Sequence, residues 1–458
     1  MTHFDLVVIG SGSGNMLLDR SFVDRRTAIV ERGVFGGTCL NVGCIPTKMF
    51  VHPADLASSV TEAGRLGVDL RLEGVRWRDI RDRVFGRVDA ISRDGRDYRA
   101  GRSPGTTLYE GTARFVGDRR LAITLGDGST VEVTADQVVL AGGSRAAVPD
   151  IDGLTDVPFH TSDSIMRIDD VPARLAILGG GVVAAEFAHV FSSFGSRVTV
   201  VNRSERLLGA FDTDISATFT DLARERWDVR APARATRVRP LTDGGVALDL
   251  DGARGPETVE ADLLLVATGR VPNSDLLDAA AGGVALDASG IVVTDVHQRT
   301  TAPGVWALGD VANSYQLKHL ANHEARVVQH NLLHPDDLWS RDHDRVPAGV
   351  FTHPQIATVG LTEQEAVARG VPHRVARQAY ADVAYGWAME DREGFAKLLL
   401  DLDGRLLGAH VLGRDATTVI QPLITALTLG IPAREFARGQ FWIHPALSEV
   451  VENALLQQ

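Results

Sequence analysis

Cysteine is scarce in this 458-residue chain, which holds only Cys39 and Cys44. Zinc sites usually need four ligands, commonly in two separated pairs, and the sequence has no second cysteine pair. A structural disulfide across so short a loop would constrain the unfolded chain little. The two thiols therefore indicate a redox-active pair, with chance proximity as the alternative, and we predict no metal site.

Lysine and long apolar runs are also scarce, and acidic residues outnumber basic ones by 59 to 47. The formal net charge of -12 argues against nucleic acid or an anionic membrane as a partner. No run of about 18 apolar residues occurs, and the first residues, Met1 to Asp5, contain no basic region ahead of an apolar one. We expect a soluble cytoplasmic protein without a signal peptide. The length suggests about three domains.

The residues that flank the cysteines suit a reactive thiol beside a flat ligand. Gly37 and Gly43 allow close approach of the backbone. Pro46 predicts the first turn of a helix, which would place Cys44 at the helix N-terminus, where the dipole favours a thiolate. Lys48, four residues after Cys44, would share its face of that helix.

Two stretches are typical of dinucleotide-binding turns. In the first, an apolar strand ends at Gly10-Ser11-Gly12-Ser13-Gly14-Asn15, and Met16 begins a helical pattern. The next strand, residues 27–30, ends in Glu31, where a carboxylate would bind a ribose hydroxyl. The second turn, residues 179–184, follows an apolar strand in the same way. Two such turns in one chain imply two dinucleotides.

The strand after the second turn ends in Asn202-Arg203. An acidic residue there would hold the free ribose hydroxyls of NAD, whereas an arginine can pair with a 2'-phosphate. This favours NADPH. A solvated arginine at the edge of the domain is the alternative.

Taken in this order, the motifs resemble those of the flavoprotein disulfide reductases over essentially the whole chain. The resemblance implies that Cys44 contacts the flavin and that Cys39 exchanges with the substrate. It also implies an ion pair of Lys48 with Glu186 beside the flavin. Near the end of the chain, His444 and Glu449 resemble the acid-base pair of the family, which reaches the cysteines from the other subunit. A homodimer follows from this resemblance.

The fold implied is α/β, with two Rossmann-like dinucleotide-binding domains and a C-terminal α+β dimerisation domain. We expect an FAD-binding domain in residues 1–147 and 271–340, an NADPH-binding domain in 148–270 and the dimerisation domain in 346–458. The implied FAD contacts are Gly10, Gly12, Gly14, Glu31, Gly37, Thr38, Gly143, Asp310, Leu317, His319 and Ala321. The implied NADPH contacts are Gly179, Gly181, Ala184, Arg203 and Gly269.

The substrate expected from the residues alone is a small disulfide. No cysteine follows Cys44, so the chain has no C-terminal thiol that could carry electrons to a larger substrate. Residues 44–50, 382–391 and 442–447 most resemble the branch of the family that reduces mycothiol disulfide to mycothiol. Two alternatives remain: another disulfide reductase, such as a dihydrolipoamide dehydrogenase paralogue, and a flavin-bound binding protein without catalytic activity.

Overall fold

A computed structural model describes residues 1–242 and 244–457. Its strands are β1 (Thr2–Ile9), β2 (Thr27–Glu31), β3 (Thr106–Gly117), β4 (Arg120–Leu125), β5 (Thr130–Leu140), β6 (Ser144–Ala146), β7 (Arg174–Leu178), β8 (Arg197–Val201), β9 (Asp228–Arg230), β10 (Ala233–Pro240), β11 (Val246–Gly252), β12 (Glu257–Ala261), β13 (Leu263–Val266), β14 (Arg270–Pro272), β15 (Val305–Ala307), β16 (Ala348–Val350), β17 (Gln355–Gly360), β18 (Arg374–Ala379), β19 (Phe395–Leu400) and β20 (Leu406–Gly413).

The α-helices are α1 (Gly37–Asn41), α2 (Cys44–Arg65), α3 (Trp77–Gly101), α4 (Val182–Ser193), α5 (Thr213–Arg226), α6 (Lys318–Leu333), α7 (Glu363–Ala368), α8 (Ala384–Ala388), α9 (Ala416–Val419), α10 (Gln421–Leu429), α11 (Ala433–Arg438) and α12 (Ser448–Leu456). The chain divides into two compact units. The first unit comprises residues 1–47, 81–147 and 270–341, and the second comprises 48–80, 148–269 and 342–458. None of the described helices is long and apolar enough to cross a membrane.

The first unit is built on a mainly parallel sheet. Strands β3, β2, β1, β5 and β15 lie side by side and parallel, and β4 pairs antiparallel with β3 and β5. Successive residues of β1 are buried on opposite faces. Leu6 and Val8 pack with Val328 of α6, whereas Val7 and Ile9 pack in a separate cluster with Phe115 of β3.

The second unit contains one parallel sheet and two antiparallel sheets. Strands β13, β7, β8 and β9 form a parallel sheet, and the antiparallel β10, β11 and β12 share a buried apolar cluster with it. The C-terminal part is an antiparallel sheet in the order β16, β17, β20, β19, β18. Its apolar core includes residues of α10 and α12. The two parallel sheets and this third sheet confirm the predicted fold class, whereas the domain boundaries stay a prediction.

One predicted element is wrong in part. The helix expected after the first glycine-rich turn is only a 3-10 helix, Gly14–Leu17, followed by a second 3-10 helix, Arg20–Phe22. Arg99 supplies the physical reason, because its guanidinium donates to the carbonyl oxygens of Asn15 at 3.0 Å and Leu18 at 2.8 Å. Those acceptors are the ones that a regular α-helix would offer to its own amides.

Candidate active site

The two cysteines lie in consecutive helices. Cys39 is in the short helix α1, and Cys44 is the first residue of the 22-residue helix α2. Both are thiols, and their side chains are hydrogen bonded to each other. The pKa of Cys39 is raised by this hydrogen bond, by burial and by repulsion from Cys44. Cys39 therefore keeps its proton, while the dipole of α2 favours a thiolate at Cys44.

Asn41 fixes the loop that carries Cys39. Its Nδ2 donates to the carbonyl oxygens of Val34 at 3.3 Å, Phe35 at 2.9 Å and Gly37 at 3.0 Å. The side chain is buried, so these bonds form away from competing water. Asn41 thus holds the loop that carries Cys39 in one conformation.

The first glycine-rich turn approaches its neighbours too closely for side chains. Gly10 has a φ of +104°, and a Cβ there would lie 2.2 Å from the carbonyl oxygen of Ala141. A Cβ on Gly37 would lie 2.7 Å from the Cα of Gly12. The turn and the loop before Cys39 therefore meet backbone to backbone, which is the geometry that a pyrophosphate cradle needs.

Glu31 is held at the end of β2 as the sequence predicts. Its carboxylate accepts from the Ser11 amide at 2.9 Å, the Ser11 hydroxyl at 2.7 Å and the Gly33 amide at 2.8 Å. A cavity of about 160 Å³ lies beside it, with Phe35 and Leu108 in its lining. An acidic group next to a partly apolar cavity fits the ribose and adenine of FAD.

The other expected FAD residues are also in the first unit. Gly143, with a φ of +65°, precedes Ser144, whose hydroxyl donates to Asp310 at 2.6 Å. Arg270 donates to the same hydroxyl at 2.7 Å and fixes it in place. The remaining expected contacts are placed as follows: Gly14 begins the first 3-10 helix, Thr38 lies in α1, Leu317 caps α6, His319 is exposed in its first turn, and Ala321 is buried.

The second glycine-rich turn lies in the second unit, and its geometry is similar to that of the first. Gly179 has a φ of +123°, and a Cβ there would lie 2.2 Å from the carbonyl oxygen of Ala267. Gly181 is the N-cap of α4, Ala184 is fully buried, and Gly269 has a φ of +125°. These features fit a second dinucleotide.

Arg203 is exposed just beyond β8. The buried side chain of Asn202 donates to the carbonyl oxygens of Ser204 at 2.8 Å and Arg206 at 2.9 Å, which fixes the turn that carries Arg203. A positively charged side chain on a fixed turn can receive a 2'-phosphate.

The predicted ion pair of Lys48 with Glu186 is present in the second unit. Lys48 Nζ lies 2.6 Å and 2.7 Å from the two carboxylate oxygens, and Glu186 is buried. Phe351 completes the arrangement, because its amide donates to Glu186 at 2.9 Å and its ring lies 4.6 Å from Lys48 Nζ. No sequence motif predicts the hydrogen bond of Phe351 to Glu186, since the donor is a backbone amide.

His444 and Glu449 also form a pair. His444 Nδ1 lies 2.7 Å from Glu449 Oε1, and the Ala446 amide donates to the other oxygen at 3.1 Å. Burial opposes ionisation of Glu449, but its hydrogen bonds from His444 and Ala446 leave its pKa below the ordinary value. The carboxylate thus stays charged and orients the imidazole, which is 71% exposed.

Comparison with known proteins assigns the family. The family model for pyridine nucleotide-disulphide oxidoreductases matches residues 4–325, and the model for the dimerisation domain of the same family matches residues 346–455. The chain belongs to the pyridine nucleotide-disulphide oxidoreductase family.

Several members of this family are similar along almost their whole length. The chain is 51% identical to a mycothione reductase of Mycobacterium tuberculosis, over 100% of this chain and 99% of that protein. It is 34% identical to a mercuric reductase of Streptomyces lividans, with 98% and 94% covered. Among solved structures, the Cu(II) complex of the flavoprotein disulfide reductase RclA from Escherichia coli matches with a TM-score of 0.86 at 27% identity, with 99% of each chain covered.

Family membership confirms four expectations: the fold class, an oxidoreductase activity, the reduction of a disulfide, and FAD and NADPH as cofactors. The roles of the individual site residues stay predictions. The structure pairs Cys39 with Cys44, Lys48 with Glu186, and His444 with Glu449. Phe351 was not predicted, because a backbone amide leaves no signal in the sequence.

Proposed function

We propose that this pyridine nucleotide-disulphide oxidoreductase reduces mycothiol disulfide to two molecules of mycothiol, with electrons from NADPH. The observation that carries the proposal is the 51% identity to a mycothione reductase over the whole chain. The lack of any cysteine after Cys44 supports a small substrate, because electrons leave directly from the Cys39–Cys44 pair.

Two glycine-rich turns support the two cofactors. The first turn, with Glu31 and Asp310, would hold FAD, and the second, with Arg203, would hold NADPH. Bound FAD supplies a two-electron link from NADPH to the cysteine disulfide. The Lys48–Glu186 pair, supported by Phe351, would fix the helix that begins at Cys44.

The thiol chemistry follows from the reduced pair. Cys39 gives up its proton to a base and its thiolate attacks one sulfur of the substrate, which forms a mixed disulfide and releases one thiol. The base returns its proton to the first departing sulfur. The Cys44 thiolate then attacks Cys39, and the second departing sulfur takes a proton from the solvent. The Cys39–Cys44 disulfide is restored, and the substrate has gained two electrons and two protons.

A base is needed because the pKa of Cys39 is raised. His444, oriented by Glu449, has the required chemistry. We assign this role to His444 of the partner subunit in a homodimer, as the family resemblance implies. The dimerisation domain supports this assembly, and so do the exposed Phe441 and Ile443 just before His444.

The predicted domain boundaries and location belong to the same proposal. We place the FAD-binding domain in residues 1–147 and 271–340, the NADPH-binding domain in 148–270 and the dimerisation domain in 346–458. The cysteine usage supports a cytoplasmic location, because disulfides in the cytosol are usually catalytic or redox-sensing.

The substrate is tested by steady-state kinetics of the holoenzyme. Mycothiol disulfide, glutathione disulfide and lipoamide are each compared with NADPH and NADH. We expect the highest kcat/KM with mycothiol disulfide and NADPH. A preference for lipoamide with NADH would overturn the proposed substrate and support a dihydrolipoamide dehydrogenase.

The thiol steps are tested by Cys39→Ser. This variant should retain bound flavin that NADPH can reduce, yet lose disulfide reduction. Unchanged turnover would rule out the thiol mechanism, and an inactive wild-type protein with reducible flavin would support the non-catalytic alternative.

A further inference from the structure

Lys318 is a fixed cation in the first unit that none of the predicted site roles includes. It is the first residue of α6, and its side chain is half-buried. Its Nζ donates to the Ser13 hydroxyl at 2.9 Å. That hydroxyl donates in turn to Asn322 Oδ1 at 3.1 Å, so the acceptor of Lys318 is itself held in one orientation. The ammonium is therefore anchored to the first glycine-rich turn.

The anchor of Lys318 lies next to the cysteine loop, because a Cβ on Gly37, two residues before Cys39, would lie 2.7 Å from the Cα of Gly12, the residue before Ser13. Burial lowers the pKa of Lys318, and the electrostatic attraction of Cys39, Cys44 and Asp310 acts in the opposite direction. Reciprocally, Lys318 opposes the effects that raise the pKa of Cys39. A half-buried ammonium next to the cysteine loop is stabilised most when one of the sulfur atoms is negative, because screening by solvent is reduced there.

The charge of the cysteine pair depends on its redox state. As a disulfide, the pair is neutral. Two electrons and one proton convert it into a thiol at Cys39 and a thiolate at Cys44. This step places a negative charge near Lys318, so the ammonium interacts more favourably with the reduced pair than with the disulfide.

We propose that Lys318 is the counter-cation of the reduced cysteine pair, which stabilises the thiolate and makes the disulfide easier to reduce. The inference rests on the proposed roles of Cys39 and Cys44. Lys318 acts through the sulfur atoms as a positioning residue and takes no part in bond formation. Its anchor, Ser13, keeps the charge at a constant distance from the cysteine loop.

The test separates the charge of Lys318 from its hydrogen bond. Lys318→Arg retains the charge, Lys318→Gln retains a donor to Ser13 without charge, and Lys318→Met retains neither. Arg326→Gln is the matched control, because it removes an exposed positive charge from the same helix. Each holoenzyme is reduced with NADPH and alkylated with iodoacetamide over a range of pH, and peptide mass spectrometry measures Cys39 and Cys44 separately.

If the proposal is correct, the midpoint of alkylation rises by about one pH unit in Lys318→Gln and Lys318→Met, which is a tenfold change in thiolate fraction. Lys318→Arg and Arg326→Gln should match the wild type. Equilibration with a thiol redox buffer should show a more stable disulfide in the two neutral variants. Wild-type midpoints in both neutral variants, or a normal midpoint in Lys318→Gln alone, would overturn the inference.

Two controls keep the outcome clear. Flavin content and thermal stability identify a variant that has lost its fold. The redox-buffer titration of Lys318→Arg against Lys318→Gln then shows whether the charge or the size of the side chain stabilises the reduced cysteine pair. If NADPH does not make the wild-type cysteines available for alkylation, the proposed function fails together with the inference. If they become available but Lys318 has no effect, only the inference fails.

Discussion

At the scale of single residues, Arg203 is the predicted determinant of the choice between NADPH and NADH. Its replacement by glutamine should raise KM for NADPH about tenfold, because a charge-assisted hydrogen bond to phosphate contributes about 1.5 kcal/mol or more. KM for NADH should not change, since NADH lacks the 2'-phosphate. Steady-state kinetics with both cofactors measures the difference.

Arg197 offers the matched control, because it is an exposed arginine at the opposite end of β8. Arg197→Gln should leave both KM values unchanged. If Arg203→Gln also leaves KM for NADPH unchanged, Arg203 is a solvated surface residue and the preference arises elsewhere.

Glu449 is the residue on which the orientation of His444 depends. Glu449→Gln should lower kcat for disulfide reduction about tenfold, because the imidazole loses the charged hydrogen-bond partner that orients it. NADPH oxidation with an artificial acceptor that takes electrons from the flavin should be unaffected. Disulfide reduction and NADPH oxidation are measured on the same preparation of each variant and compared.

Glu452→Gln on the same helix, α12, is the control for loss of a carboxylate. It should behave as wild type in both assays. Equal loss of both activities in Glu449→Gln would indicate a general structural defect and would contradict the acid-base role.

The cysteine pair was predicted from the scarcity of cysteine, whereas the pairs Lys48–Glu186 and His444–Glu449 were predicted from the family resemblance, and the roles of these residues stay predictions. Lys48 and Glu186, 138 positions apart, were predicted as a pair and lie 2.6 Å apart. Phe351 could not be predicted, because it binds Glu186 through its amide, which every residue except proline has. Asn41 is similar, since its three contacts are all to backbone carbonyls.

At the scale of elements, Lys397 of β19 joins parts of the second unit that are distant in sequence. It is 1% exposed and lies 2.9 Å from Asp212, 2.8 Å from Asp214 and 2.6 Å from Glu363. Asp212 precedes α5 and is fully buried. The cluster thus connects a helix after the second dinucleotide turn with the C-terminal sheet.

Lys397→Met should lower the free energy of unfolding by about 3–5 kcal/mol, because it leaves the Asp212 carboxylate buried without its cation. Urea denaturation followed by tryptophan fluorescence measures the change. The double variant Lys397→Met with Asp212→Asn should recover part of the loss, since asparagine retains an acceptor for the amides near the start of α5. Equal stability of Lys397→Met and wild type would contradict this account.

The same cluster determines whether the stability of the fold rises or falls with pH. Burial raises the pKa of Asp212, but hydrogen bonds from Lys397 and the Glu363 amide leave it below the ordinary value. A lowered pKa stabilises the folded state above the unfolded pKa, about 3.9, and the contribution is lost as pH falls. The wild type should therefore lose more stability on acidification than the double variant.

Several elements could be predicted from short apolar runs next to glycine-rich turns, as for β1 and the start of α4. The 3-10 helix after the first glycine-rich turn could not, because Arg99 is more than 80 positions away in sequence. Its guanidinium donates hydrogen bonds to the carbonyl oxygens of Asn15 and Leu18, so the 3-10 geometry depends on a tertiary contact. Local propensity contains no information about such a partner.

At the scale of the whole molecule, the two dinucleotide-binding turns could be predicted because each carries its own glycine pattern, whereas the domain boundaries stay a prediction. The homodimer could not be predicted from the glycine patterns. It is supported by the match to the dimerisation-domain model of the family and by the exposure of His444. His444 is 71% exposed beside Ile443, which is 76% exposed. An apolar residue and a catalytic candidate exposed together suit a surface that a second subunit completes.

Mixed dimers test that assembly directly. Cys39→Ser and His444→Gln should each be inactive alone in disulfide reduction. Coexpressed in equal amounts, they should recover about one quarter of wild-type activity, because about half of the dimers are mixed and each mixed dimer holds one intact site. Recovery requires that Cys39 of one chain work with His444 of the other. The double variant, mixed with either single variant, should recover nothing, and a lack of recovery in purified mixed dimers would place both residues of a site in the same chain.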